Sequence, residues 1–239
     1  AKNTNLESVV AIEAKVNERP EKNRNEKVQN GDIELELLKL TILSQAEVLP
    51  FDMSVDGFNL DLTTELDHRA LTLRHPRLQA IFKVQAVIID SFREYMKQQD
   101  FFEFQAPAIA PAVAEGGSEV FEVAYFEHKA YLSQSPQLYK QIVMTAFERV
   151  FSVNKVFRAE PSVTTRHLAE STQMDCELGF MDFEGLLDAL EFVGAKTINH
   201  AAESNPAILK QFGIEKPKIP AKIPRLTMRE AQEVVFKRT

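Results

Sequence analysis

The chain has 239 residues, 44% of them hydrophobic and 26% charged, with 28 Lys and Arg against 35 Asp and Glu and a net charge of −7. This composition suits a globular protein and argues against both a disordered chain and a highly basic nucleic-acid-coating protein, while leaving room for nucleic acid held by local patches. No apolar run approaches the ~18 residues of a membrane span, and one cysteine, Cys176, cannot form an internal disulfide or a thiolate zinc site, which fits a reducing, cytoplasmic setting.

Residues 8–16 are rich in β-branched side chains and read as a strand. The stretch 17–30, with Pro20 and several Asn and Gln residues, reads as a loop. Ile33, Leu35 and Leu37 then alternate with Glu34 and Glu36, the period of a half-buried strand. Two antiparallel strands are not stable alone, so this region needs partners. Residues 45–75, with Pro50 and Gly57, read as a connector. From Pro76 a long helix is predicted, because Leu78, Ile81, Phe82, Ile88, Ile89, Phe92, Tyr95 and Met96 recur near i, i+3, i+4 spacing. Phe101–Phe104 reads as a strand stopped by Pro107 and Pro111; residues 120–126 and 130–133 suit a hairpin around Glu127, His128 and Lys129. Pro136 opens another helix, and 151–158 and 172–181 read as strands joined by a polar loop at 161–171. A helix follows over 183–203, and Thr227 with Glu230 has capping-box spacing. Hairpin-joined strands with helices outside imply an α+β fold with an antiparallel sheet. Ala1 in place of Met, and a helix opening so close to Thr239, lead to the expectation of a piece of a longer protein.

The motifs of P-loop, dinucleotide-binding, zinc-protease and serine-hydrolase sites are absent. Paired charge is concentrated instead in 157–177: Arg158, Glu160, Arg166, His167, Glu170, Asp175 and Glu177. Arginine offers a planar fork for phosphate or carboxylate. On strands, Arg158 and Glu160 would share one face and Asp175 and Glu177 another common face, together a floor of one cation and three anions. Such a floor suits a substrate carrying both phosphate and ammonium. A solvated hairpin with surface ion pairs fits the same residue types.

The order of residues adds more. Phe157-Arg158-Ala159-Glu160, followed by Arg166-His167-Leu168-Ala169-Glu170 and Asp175-Cys176-Glu177-Leu178-Gly179-Phe180, closely resembles motif 2 of class II aminoacyl-tRNA synthetases. The helix running into Phe101-Phe102-Glu103-Phe104-Gln105-Ala106-Pro107 resembles motif 1. Glu115-Gly116-Gly117-Ser118-Glu119-Val120-Phe121 and Gln134-Ser135-Pro136-Gln137-Leu138-Tyr139-Lys140-Gln141 are similar to aspartyl-tRNA synthetases of the archaeal and eukaryotic style, as is Leu66-Asp67-His68-Arg69. Asp100 and Ala106 depart from the Gly and Thr usual in motif 1, and Pro161 stiffens the motif 2 loop.

The resemblance implies three regions: the C-terminal part of an OB-fold anticodon-binding domain over 1–50, a hinge over 51–70, and a partial class II catalytic domain over 71–239. It implies L-aspartate contacts at Glu115, Gln137, Leu138, Tyr139, Lys140, Arg158 and Asp175, with Lys140 on the side-chain carboxylate, Asp175 near the ammonium and Arg158 as the catalytic arginine between the α-carboxylate and the ATP α-phosphate. ATP contacts are implied at Arg158, Ala159, Glu160, Arg166, His167 and Leu168. ATP as substrate, Mg²⁺ on its phosphates, tRNA-Asp with tRNA-Asn as a second candidate, a homodimer and no membrane complete the expectation. The likeness stops before motif 3, where the family keeps its metal ligands, so no metal ligand is expected in these residues and they are expected not to complete ATP activation alone. Asparaginyl-tRNA synthetase, an amidating asparagine synthetase on the same fold and a non-catalytic regulatory paralogue are the alternatives.

Overall fold

The computed structural model describes residues 4–25, 30–54, 58–114, 119–162, 164 and 167–237. The chain divides into two compact units, Ala1–Leu78 and Gln79–Thr239.

The first unit is built on two long antiparallel strands, β1 (Val9–Glu18) and β2 (Ile33–Ser44), paired from Val9 opposite Ser44 to Glu18 opposite Ile33. The expected strand at 33–37 therefore runs on to Ser44. Its alternation does not produce half-burial: Leu35 is 54% and Leu37 50% exposed. Both faces of the two-stranded ladder remain largely open to solvent among the described residues, as the burial pattern of β2 shows. The predicted connector at 45–75 is partly helical, with α1 (Leu62–Asp67) and α2 (Arg69–Thr72). Asp61 starts α1 by accepting the Thr64 amide at 3.0 Å, an N-cap short enough to escape a periodicity reading. Buried His75 stacks on Phe58 with ring centroids 4.0 Å apart, and Arg74 pairs with Glu7.

The second unit carries the long helix, α3 (Pro76–Gln98), whose first turn contains the division between the units. A three-stranded sheet follows, in the order β3 (Phe102–Glu103), β7 (Arg149–Phe157), β8 (Glu170–Leu178). β7 and β8 are antiparallel in unbroken register, Arg149 opposite Leu178 and Phe157 opposite Glu170, while β3 lies parallel to β7. A second antiparallel sheet holds β4 (Ile109–Ala110), β6 (His128–Leu132) and β5 (Glu122–Tyr125) in that order. The hairpin turn sits at Phe126 and Glu127, one position earlier than expected, and His128 and Lys129 already belong to β6. A two-residue loop needs positive φ, and Phe126 supplies φ 53°.

Helix α4 (Gln137–Phe147) begins directly after Pro136 as read from the sequence. Helix α5 (Phe183–Ser204) is capped by Asp182, which accepts the Gly185 amide at 2.8 Å; α6 (Pro206–Gln211) and α7 (Met228–Phe236) follow. The capping box predicted at Thr227 and Glu230 forms. Arg225 ties the proline-punctuated stretch before α7 to Glu184, Asp188 and Glu191 along α5.

One face of the β7–β8 ladder makes the core. Phe151 packs with Phe92 and Met96 of α3 and with Phe101, and Val153, Cys176, Leu178 and Val193 close around them. Phe92 and Phe151 meet edge to face, centroids 5.8 Å apart, the arrangement that the ring quadrupoles favour. Full burial of a Phe side chain contributes about 1.5–3 kcal/mol. The α+β class with antiparallel pairing expected from the sequence is the one observed, with the parallel β3–β7 contact added.

Candidate active site

The opposite face of the same ladder is polar. Register places Ser152 opposite Asp175, Asn154 opposite Gln173 and Val150 opposite Glu177, so these side chains share one surface. Asp175 and Glu177 point the same way, as their spacing predicts. Arg158 and Glu160 lie just past β7, which ends at Phe157 opposite Glu170. Arg158 N–H keeps the register one step further, donating to the Ala169 C=O at 3.0 Å, and Ala159 N–H then donates to the Glu119 C=O at 3.1 Å. Pro161, with no N–H to give a ladder, follows closely.

Helix α4 delivers the remaining cation to the polar face. Lys140 lies one turn into α4, its amide bonded to the Pro136 carbonyl at 2.9 Å. Only 5% of the residue is exposed. Its Nζ lies 3.2 Å from Asp175 Oδ1 and 3.6 Å from Glu177 Oε2. A buried lysine of this kind requires compensating charge, and two carboxylates provide it. The two ends of α4 are also fixed to the sheet. The Phe157 amide donates to the Ser133 carbonyl at 2.9 Å just before the helix, and the Gly179 amide donates to the Glu148 carbonyl at 2.7 Å just after it. The end of β7 that carries Arg158 is thus stitched to the segment that opens α4.

The polar face is not fully satisfied. Among the described residues, Asp175 Oδ2, Gln173 Oε1, Ser152 Oγ and Asn154 Nδ2 are buried without a hydrogen-bond partner. Buried polar groups normally find partners, and these four atoms lie together on two adjacent cross-strand pairs. Gln173, Asn154 and Ser152 are the residues that sequence reading did not place in the site. Only the strand register reveals that they share its surface.

The other expected positions fall as follows. Gln137, half-buried, is on the same helix face as Lys140, three residues earlier; its amide donates to Ser135 Oγ at 3.2 Å. Leu138 and Tyr139 line a cavity of about 220 Å³ with Ile142, Ala110 and Leu132. Glu160 is exposed, Ala159 half-buried and Leu168 63% exposed. His167 bonds Thr164, its Nδ1 lying 2.7 Å from Thr164 Oγ1. Glu115 and Arg166 lie outside the described residues. No group of three or more His, Cys, Asp or Glu side chains among the described residues could hold a metal ion, and none of their helices is long and apolar enough to cross a membrane.

On the core side of the ladder, a cavity of about 830 Å³ is lined by apolar side chains of α3, α5 and β8, Ile88, Leu186, Val193 and Cys176 among them. Burial there pushes the Cys176 thiol above its usual pKa, against the opposing pull of Lys140.

The aspartate--tRNA(Asp/Asn) ligase of Archaeoglobus fulgidus is 37% identical over 242 residues, a match covering 100% of this chain and 54% of that protein. The aspartate--tRNA(Asp) ligase of Pyrococcus abyssi is 38% identical over 236 residues, covering 97% and 52%. The chain spans about half the length of the curated relatives it matches. Among solved structures, the asparaginyl-tRNA synthetase of Pyrococcus horikoshii complexed with asparaginyl-adenylate superimposes with a TM-score of 0.85 at 27% identity, over 99% of this chain and 53% of that one. The aspartyl-tRNA synthetase of Entamoeba histolytica gives 0.75 at 28% identity, over 97% and 49%. The family model of the class II tRNA synthetases (D, K and N) matches residues 61–237, and the chain belongs to that family.

Proposed function

We propose that the whole protein is an aspartate–tRNA ligase, and that the polar face of β7–β8 under α4 is its amino-acid subsite. One observation carries the reading: a buried lysine, Lys140, held between Asp175 and Glu177 beside polar atoms that lack protein partners. An ammonium there can take the side-chain carboxylate of aspartate. The neutral amide of asparagine would leave that charge poorly matched, which is the basis of discrimination. Asp175 receives the substrate ammonium. Arg158, on the segment joined to the start of α4 at Ser133, bridges the α-carboxylate and the α-phosphate of ATP. Ala159, Glu160, Arg166, His167 and Leu168 hold the nucleotide, and Glu115 and Gln137 help to retain the amino acid.

In the first step an α-carboxylate oxygen forms a bond to the α-phosphorus and pyrophosphate leaves with the electrons of the broken P–O bond. In the second, the terminal ribose hydroxyl of tRNA attacks the adenylate carbonyl and AMP leaves. Positioning and charge stabilisation do most of the work in such transfers. The described residues supply no protein-held metal site; Mg²⁺ would arrive on the ATP phosphates and offset their charge. tRNA-Asp is the acceptor proposed, with tRNA-Asn a second one, and the protein acts in the cytoplasm as a homodimer. The regions 1–50, 51–70 and 71–239 serve as anticodon-side domain, hinge and catalytic domain.

The likeness to an asparaginyl-tRNA synthetase bound to its adenylate supports a second reading, in which asparagine is activated. Amino-acid-dependent ATP–pyrophosphate exchange by the whole protein separates the two. Aspartate should support exchange and asparagine should not, and Lys140→Ala should lower aspartate-dependent exchange by at least about a hundredfold, the scale of a lost buried ionic contact. Exchange driven by asparagine, or undiminished in the variant, rejects the aspartate assignment.

A further inference from the structure

Resting on the ligase reading, we propose that Gln173 is a positioning residue for amino-acid selection: its side-chain amide holds Asp175 in the orientation that leaves the Lys140 ammonium able to accept a substrate carboxylate.

The geometry is specific. Gln173 Nε2 donates to Asp175 Oδ1 at 3.2 Å, and the same oxygen lies 3.2 Å from Lys140 Nζ. Lys140 and Gln173 are the two donors to Asp175 among the described residues, and they converge on one of its two oxygens. The other, Oδ2, is buried and takes no bond from the described protein. The direction of the amide is set by chemistry. A reversed Gln173 would put Oε1 against a carboxylate oxygen, acceptor against acceptor, so the nitrogen must face Asp175. Gln173 and Asp175 are two residues apart on β8 and share a face, which fixes their separation through the strand itself. Across the ladder the neighbours are neutral, Asn154 and Ser152.

Charge makes the arrangement matter. The charged groups meeting here are Lys140 from α4 and Asp175 and Glu177 from β8, one cation against two anions. Glu177 stands at 3.6 Å, beyond hydrogen-bonding distance, so Lys140 makes a single close contact and keeps N–H groups for a ligand. Coulombic attraction would draw both oxygens of a freely turning carboxylate onto the ammonium in this buried setting. The bond from Gln173 opposes that rotation. With the amide removed, Asp175 turns and pairs more completely with Lys140. The lysine then offers less charge to the side-chain carboxylate of aspartate, and the preference over asparagine falls. In this role Gln173 acts through Asp175, by its amide nitrogen alone.

The test uses the whole protein and ATP–pyrophosphate exchange, reading the KM for L-aspartate, the inhibition constant of L-asparagine and the KM for ATP. Gln173→Met keeps length and loses the donor. Expected are a rise of about tenfold or more in the aspartate KM, a fall of similar size in selectivity for aspartate over asparagine, and an ATP KM and kcat within about threefold of wild type. Unchanged selectivity, or kcat and both KM values moving together, overturns the proposal, because a general loosening of the sheet would do that. Gln173→Glu keeps the test alive should the Met variant fail to fold. Its protonated carboxyl donates to Asp175 as the amide does, whereas the ionised form repels it and adds negative charge beside Lys140. Selectivity in this variant should therefore decline between about pH 6 and pH 8 while wild type stays flat; a flat profile in both overturns the proposal. Wild-type protein without aspartate-dependent exchange rejects the ligase reading itself, a result distinct from an active wild type with an indifferent Gln173.

Discussion

Phe151 and Ser152 are neighbours in β7, both 0% exposed, and they look in opposite directions. Phe151 meets Phe92, Met96 and Phe101, side chains whose contact needs no further partner. Ser152 faces Asp175 across the ladder, and its hydroxyl, like three other buried polar atoms around it, has no partner among the described residues. Burial therefore does not separate the stabilising face from the chemical one. Polar satisfaction does. On the ladder itself the unmatched atoms cluster on the charged face, while elsewhere among the described residues they occur singly, at Thr197 Oγ1 and His75 Nε2.

The contrast can be broken most forcefully on the core side. Phe151→Ala removes a ring with no access to solvent and should cost about 3–5 kcal/mol, seen as a large drop in melting temperature. On the polar side the cost should depend on pairing rather than volume. Lys140→Met leaves the largely buried Asp175 and the half-buried Glu177 unmatched and should cost about 3 kcal/mol, whereas adding Asp175→Leu and Glu177→Gln should recover most of it. If denaturant unfolding shows no recovery in the triple variant, packing and not charge governs that face. The mildest probe is Cys176, which lies between the two carboxylates in sequence but belongs to the core side. Because burial raises its pKa, alkylation should be slow near neutrality and still accelerating above about pH 9, the ordinary thiol value. A rate that levels off well below that pH would place the thiol in a charged, wet environment.

Much of this was legible in the residues. The spacing from Leu78 to Met96 fixes a helix face, and α3 occupies it. Pro136 marks the start of α4, and the alternation of Asp175, Cys176 and Glu177 already separates carboxylates from thiol. Other features needed three dimensions. The helices α1 and α2 are too short to show a period. Arg158 and Glu160 read as strand residues, and the ladder reaches Arg158 through Ala169 before Ala159 bonds Glu119 instead. Ser152, Asn154 and Gln173 are neutral polar residues, and nothing in their order announces that they face one another. Register decides that, and it is set by the whole ladder from Arg149 to Phe157.

That ladder imposes an unequal tolerance to change in chain length. Because alternate side chains go to opposite sides, one residue inserted within β7 would carry every later side chain of the strand to the wrong surface, bringing serine and asparagine against α3 and phenylalanine beneath α4. The turn between Phe157 and Glu170 is under no such parity constraint. Length variants of this protein should therefore accumulate in the turn and be missing from the strands that it joins.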